Sequence, residues 1–127
     1  MEIGTKESLQ EKVSEEKTAQ AMGSGSLSVY ATPAMIALME KTACACIEKD
    51  LEPGQSTVGT LIEVIHKSAT PMGMEVICEA ELVSREERKL VFHVVARDEV
   101  GVIGEGKHER FIIDAERFMV KTLGKKK

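Results

Sequence analysis

Three polar side chains stand where apolar ones are expected, and together they could do acyl-transfer chemistry. Thr32 carries a hydroxyl, Glu40 a carboxylate and His66 an imidazole that titrates near neutrality. A hydroxyl is a weak nucleophile until a base activates it, and histidine is the side chain best suited to move that proton. Each residue also has a plain structural use. Thr32 precedes Pro33, which reads as a helix N-cap followed by proline at the first helical position. Glu40 lies amid Ala37, Leu38, Met39, Thr42 and Ala43. A carboxylate on a mostly buried helix is costly unless paired or used. A solvent stripe with Lys41, Cys44 and Glu48 would carry it at no cost. His66 shares strand parity with Val58, Thr60, Ile62 and Val64, at the end of an apolar face ahead of Thr70-Pro71. His93 and His108 share parity with apolar neighbours and have no second ligand at metal spacing, so no metal site is expected. No phosphate loop, dinucleotide fingerprint or nucleophile elbow is present. Gly104-Glu105-Gly106 reads as a bulge or a close backbone approach within a strand.

The elements that must position these groups are legible from period. Residues 1–25 are polar, with Leu9 to Lys17 an edge strand rich in charge or else a loose arm. Gly23 to Ser28 is a loop by composition. Ala34 to Lys49 has no breaker, and Met35, Leu38, Met39, Thr42 and Cys46 follow helical spacing, widened by Ile36, Ala43 and Ile47. Glu52-Pro53-Gly54-Gln55 makes a tight turn. The period then changes to two. Strands are predicted over Thr57 to Ser68, Met74 to Val83, Leu90 to Arg97 and Val102 to Ile113. Asp114 caps a short terminal helix running through Phe118 to Leu123. Helix and strand do not alternate, so a doubly wound sheet is excluded. One long helix across the apolar face of a curved antiparallel sheet is the economical α+β solution. Two copies joined through the sheet edge would cover that edge.

Size and charge narrow the function. The chain has 127 residues, one domain's worth, and no apolar run near the ~20 residues of a membrane span. Nor does a charged segment lead into an apolar stretch, so no secretory leader is expected, and buried free thiols suit a reducing cytoplasm. Seventeen basic residues against twenty-one acidic ones are the wrong balance for a nucleic-acid binder. The basic end (Lys121, Lys125, Lys126, Lys127) is too short to alter this. The three cysteines, Cys44, Cys46 and Cys78, read as buried free thiols, since helical residues two apart point roughly 200° apart and share neither bond nor metal.

The segment Tyr30 to Glu40 resembles the start of the central helix in the fluoroacetyl-CoA thioesterase-like branch of the hot-dog thioesterases. The resemblance continues through Leu51-Glu52-Pro53-Gly54, Val58-Gly59-Thr60, His66 with Ala69-Thr70-Pro71, and Gly104 to Arg110. It spans about Tyr30 to Phe118, most of the chain. It implies a hot-dog fold, a homodimer or a tetramer built from it, and hydrolysis of a small or modest acyl-CoA. Coenzyme A is part of the substrate, and no separate cofactor is implied. The family's catalytic residues fall on Thr32, Glu40 and His66, and its substrate-contacting glycine on Gly59. The amides of Ala34 and Met35, or Gly59, could receive an oxyanion. Val58, Ile62, Val64, Met35 and Met39 would line the acyl site, and Lys67, Lys107 or Arg110 could meet the phosphates or simply be solvated. Thr32 and Glu40 are roughly 12 Å apart along a helix axis. A seam between two copies would bring such groups together. Two other readings fit the same fold: a binding module that holds an acyl-CoA without cleaving it, and an acyl-CoA hydratase.

Overall fold

The structure, a computed structural model, describes residues 1–126, so Lys127 of the basic end lies outside the described residues. Five strands form one antiparallel sheet: β1 (Lys6–Lys12), β2 (Gln55–His66), β3 (Glu75–Glu86), β4 (Lys89–Arg97) and β5 (Val102–Asp114). Their spatial order is β1-β3-β4-β5-β2, which leaves β1 and β2 at the two edges. The polar N-terminal segment is therefore an edge strand, shorter than predicted and set earlier in the chain. Its Leu9 pairs with Cys78 of β3.

Three α-helices are added among the described residues: α1 (Ala19–Met22), α2 (Thr32–Ile47) and α3 (Ala115–Leu123). The apolar stripe of α2 buries Met35, Leu38, Met39, Thr42, Ala43, Cys46 and Ile47. It faces Val76, Cys78, Ala80 and Leu82 of β3 and Leu90, Phe92, Val94 and Ala96 of β4, all fully buried. These alternate residues carry the core, which is the chief source of stability. Asp114 caps α3, accepting from the Arg117 N–H at 3.0 Å. α2 lies mainly over β1, β3 and β4, so the inner face over β5 and β2 is less covered.

The period of β2 breaks once. Its pairing with β5 shifts register between Gly59 and Leu61, and a bulge of this kind changes which residues share a face. Thr57 and Gly59 oppose Ile112 and Arg110, while Ile62, Val64 and His66 oppose His108, Gly106 and Gly104. All five share the inner face. Val58 opposes Phe111 on the outer face, which corrects its predicted place in the acyl lining. Gly59 and His66 are an odd number of residues apart, and the bulge alone puts them on one side.

The connection from β1 to α2 is tied down at its end. Thr18 caps α1, its hydroxyl oxygen accepting from the Ala21 N–H at 3.2 Å, and Gly23 closes it at φ 71°. Tyr30 is 1% exposed and donates to one carboxylate oxygen of Glu11, whose other oxygen takes Lys17 Nζ at 2.8 Å. Burial first, and then the Glu11 carboxylate, push the Tyr30 phenol far above its usual range. The three cysteines are free. Cys46 and Cys78 are buried as expected, while Cys44 is only half-buried.

Candidate active site

The first half of the site forms where α2 begins. The residue flanking the helix is Ala31, and Thr32 is its first residue, with no side-chain cap bond at this end. The Thr32 hydroxyl turns instead to the end of β2, where Oγ1 lies 2.7 Å from His66 Nδ1. The expected capping role is thus corrected: the hydroxyl serves the imidazole rather than the helix. Burial lowers the pKa of His66, partly opposed by a hydrogen bond with the Ser68 backbone. A neutral imidazole beside a hydroxyl is the arrangement a general base requires. Its Nε2 is buried and has no partner among the described residues. The pair opens on a cleft of about 240 Å³ whose wall includes Ala19, Ser24, Tyr30 and Lys67.

The second half forms two turns further along α2. The Glu40 side chain is 43% exposed, with Oε2 3.8 Å from Arg110 Nη1. The backbone of Gly59 lies against both. A Cβ there would stand 2.9 Å from Glu40 Oε2 and 3.2 Å from Arg110 Nη1, so glycine is what lets the three approach. Glu40 is therefore neither fully buried nor part of a free solvent stripe.

Within one chain the two halves stay apart. Gly59 and His66 are seven residues apart on one strand, a span of roughly 23 Å. The pairs Thr32–His66 and Glu40–Gly59 are each assembled, and the four residues do not meet around one point.

Other expectations change in detail. The Met35 N–H donates to the Ala31 carbonyl at 3.0 Å, so it is no free oxyanion donor. Arg110 is 8% exposed and is not a surface cation. Its Nε donates to Thr57 Oγ1 at 2.9 Å and its Nη2 to the Thr57 carbonyl at 3.1 Å. Lys67 pairs with Glu105 at 2.7 Å, and Lys107 with Glu109 at 3.6 Å. Gly104 and Gly106 are close approaches: a Cβ on the first would meet Met35 Sδ at 2.6 Å, and on the second the Glu63 carbonyl at 2.1 Å. Arg110 and Thr57 are the polar partners that strand parity missed. The available signal was that Arg110 shares parity with His108 and Ile112 on a strand whose inner face is buried.

A family model described as "FlK: Fluoroacetyl-CoA-specific thioesterase" matches residues 13–116. The fluoroacetyl-CoA thioesterase of Streptantibioticus cattleyicolor is 45% identical over 94 residues, covering 74% of this chain and 68% of that protein. The chain belongs to this family. The solved structure of the fluoroacetyl-CoA thioesterase FlK superposes with a TM-score of 0.94 at 36% identity, covering 100% of this chain and 98% of that one. A threonine-to-serine variant of FlK, solved in complex with acetyl-CoA, matches with the same score and identity over the whole of both chains. A hot-dog-like protein of Thermanaerovibrio acidaminovorans shares the fold alone, with a TM-score of 0.90 at 21% identity over 98% of this chain and 93% of that one. The fold is thus a hot-dog fold, and membership of the FlK family makes the chain a thioester hydrolase. Among the described residues no helix is long and apolar enough to cross a membrane.

Proposed function

We propose that the protein hydrolyses a small or modest acyl-CoA at a site shared by two copies, with Thr32 and His66 from one and Glu40 and Gly59 from the other. The observation that carries this reading is the 2.7 Å Thr32–His66 bond held a strand's length away from the Glu40–Gly59 pair. β2 is an edge strand, and Leu61, Ile62 and Ile65 on it are exposed at 38%, 38% and 66%. An unpaired edge of this kind invites a second strand. Antiparallel pairing about a twofold axis through Glu63, with the bulge at Thr60 taking up one residue, sets Gly59 opposite the partner's His66, roughly 5 Å away. One hydroxyl, one imidazole and one carboxylate then surround a single thioester carbonyl.

In that setting His66 takes a proton from Thr32 or from water and returns it to the leaving thiolate. The Ala34 N–H at the start of the helix and the Gly59 backbone are candidate donors to the oxyanion. Glu40 orients the imidazolium or activates the water. Water adds to the acyl carbon, the carbon–sulfur bond breaks, and the products are a carboxylic acid and free CoA, with no cofactor required. Whether the acyl group passes through Thr32 is decided by the mass of enzyme trapped with a slow substrate. Ile62 and Val64 offer an aliphatic lining, with Met35 and Met39 fully buried in the core, and methionine adapts to different acyl shapes. Three free thiols suit a cytoplasmic home.

Thiol release over a panel of acetyl-, short branched-, aryl- and longer acyl-CoAs tests the activity. Saturable binding without thiol release would mark a binding module, and hydration of an enoyl-CoA would mark a hydratase. The shared site is tested by mixing two inactive variants, Thr32→Ala and Glu40→Ala, and allowing subunits to exchange. Half the dimers become mixed, and each mixed dimer holds one intact site of two, so about a quarter of the wild-type rate returns. If all groups act within one chain, no rate returns.

A further inference from the structure

We infer that His108 is a positioning residue: locked between the Leu61 carbonyl and the Arg110 guanidinium, it fixes the direction in which Arg110 faces Glu40. The inference rests on the reading of Glu40 as a working group. His108 is 1% exposed on the inner face of β5. Its Nδ1 lies 2.8 Å from the carbonyl of Leu61, just past the β2 bulge, and its Nε2 lies 3.1 Å from Arg110 Nη1. A carbonyl only accepts, so Nδ1 must carry the hydrogen. Arginine only donates, so Nε2 must be bare. The two neighbours together admit one form of the ring, the neutral Nδ1–H tautomer.

The ring is further held by stacking on Phe92 of β4, with centroids 6.3 Å apart. The charged groups around it are Arg110 and Glu109 on β5 and Glu40 on α2; β2 presents the Leu61 carbonyl and β4 presents Phe92. Burial, with Arg110 adding to it, lowers the ring's pKa, which agrees with the neutral form. Arg110 Nη1 is the shared atom. It donates to His108 and is the nitrogen that stands 3.8 Å from Glu40 Oε2. The two bonds to Thr57 hold the Nε and Nη2 edge of the guanidinium, and His108 holds Nη1, the nitrogen that faces Glu40.

Two substitutions separate the two bonds of the ring. His108→Gln can place an acceptor near Nε2 and keep the Arg110 contact. His108→Asn can place a donor near Nδ1 and keep only the Leu61 contact. On the acyl-CoA that the wild type turns over fastest, the Gln variant should stay within about 3-fold of wild-type kcat. The Asn variant should lose about 10-fold in kcat with little change in KM, the scale of one lost hydrogen bond to a charged group. Equal rates in the two variants, or rates that merely follow their melting temperatures, would overturn the inference. In an Arg110→Ala background the Asn substitution should cost nothing more, and a further 10-fold loss there also counts against it. A readout independent of hydrolysis is the nitrogen-15 spectrum of the imidazoles. His108 should show a protonated Nδ1 and a bare Nε2, and should take up its second proton at higher pH once Arg110 is replaced by alanine. An Nε2–H tautomer in the wild type would refute the lock. Should no ester be hydrolysed, the functional reading fails while the spectrum still decides the role of His108.

Discussion

At the scale of single residues, the hydroxyl of Thr32 has been released from the helix. It bonds to His66 and caps nothing. Thr32→Ala should therefore slow thiol release with little change in melting temperature, whereas loss of a true cap costs about 1 kcal/mol. His66→Ala and Glu40→Ala should each lower turnover by about 100-fold or more, the usual scale of general acid–base roles. Wild-type rates in both would remove them from the mechanism. The pH response follows from burial. A desolvated imidazolium is disfavoured, so folded His66 loses its proton at lower pH than free histidine. The base form then persists below pH ~6.5, and the acid limb of kcat/KM should fall under that value. Stability moves with it: below ~6.5 the unfolded chain binds more protons than the fold, so the melting temperature should drop on acidification. The neutral His108 adds to the same trend.

At the scale of elements, β2 shows where sequence reasoning succeeds and where it stops. Alternation located the inner faces of β3 and β4, where Glu75, Glu79 and Glu81 mark the outer side and every second residue is fully buried, although Ile77, Val83, Val91 and Val95 are apolar and out of phase. The breaker-free stripe of α2 was equally legible. The register shift in β2 was not, since an extra residue changes no composition and leaves hydrophobicity high on both sides. Parity counted through Thr60 therefore misplaced Val58. Arg110 was misjudged for a related reason: charge suggests solvent, and only the fold reveals the carboxylate and imidazole that receive it. Two glycines separate folding from function. Gly59→Ala presses hardest on Glu40 Oε2, the free end of a half-exposed side chain, and less on the held Arg110 and His108, so it should fold and lose about 10-fold in turnover as Glu40 is displaced. Gly106→Ala collides with the β2 backbone at 2.1 Å, and should cost several kcal/mol, on the order of 3 or more, by parting β5 from β2. Circular dichroism melts beside a thiol assay would check both, and the reverse ranking would contradict this account.

For the whole molecule, the helix lies over one side of the sheet and leaves the working side open towards β2. On the proposed reading a second copy would cover that side, pairing the free edge and supplying the other half of the chemistry in one step.

Tyr30 closes the segment that leads into Thr32, and it is the chain's one tyrosine in a sequence without tryptophan. The protein therefore carries a built-in optical reporter on the cleft that Thr32 and His66 share, the proposed reaction centre. Ultraviolet emission should be a single-site signal that changes when ligand shifts the entry to α2. Phenolate absorbance should stay silent under alkaline conditions that ionise free tyrosine, and appear only as the chain unfolds. A phenolate signal from the intact fold at ordinary tyrosine pH would show that this anchor is loose in solution.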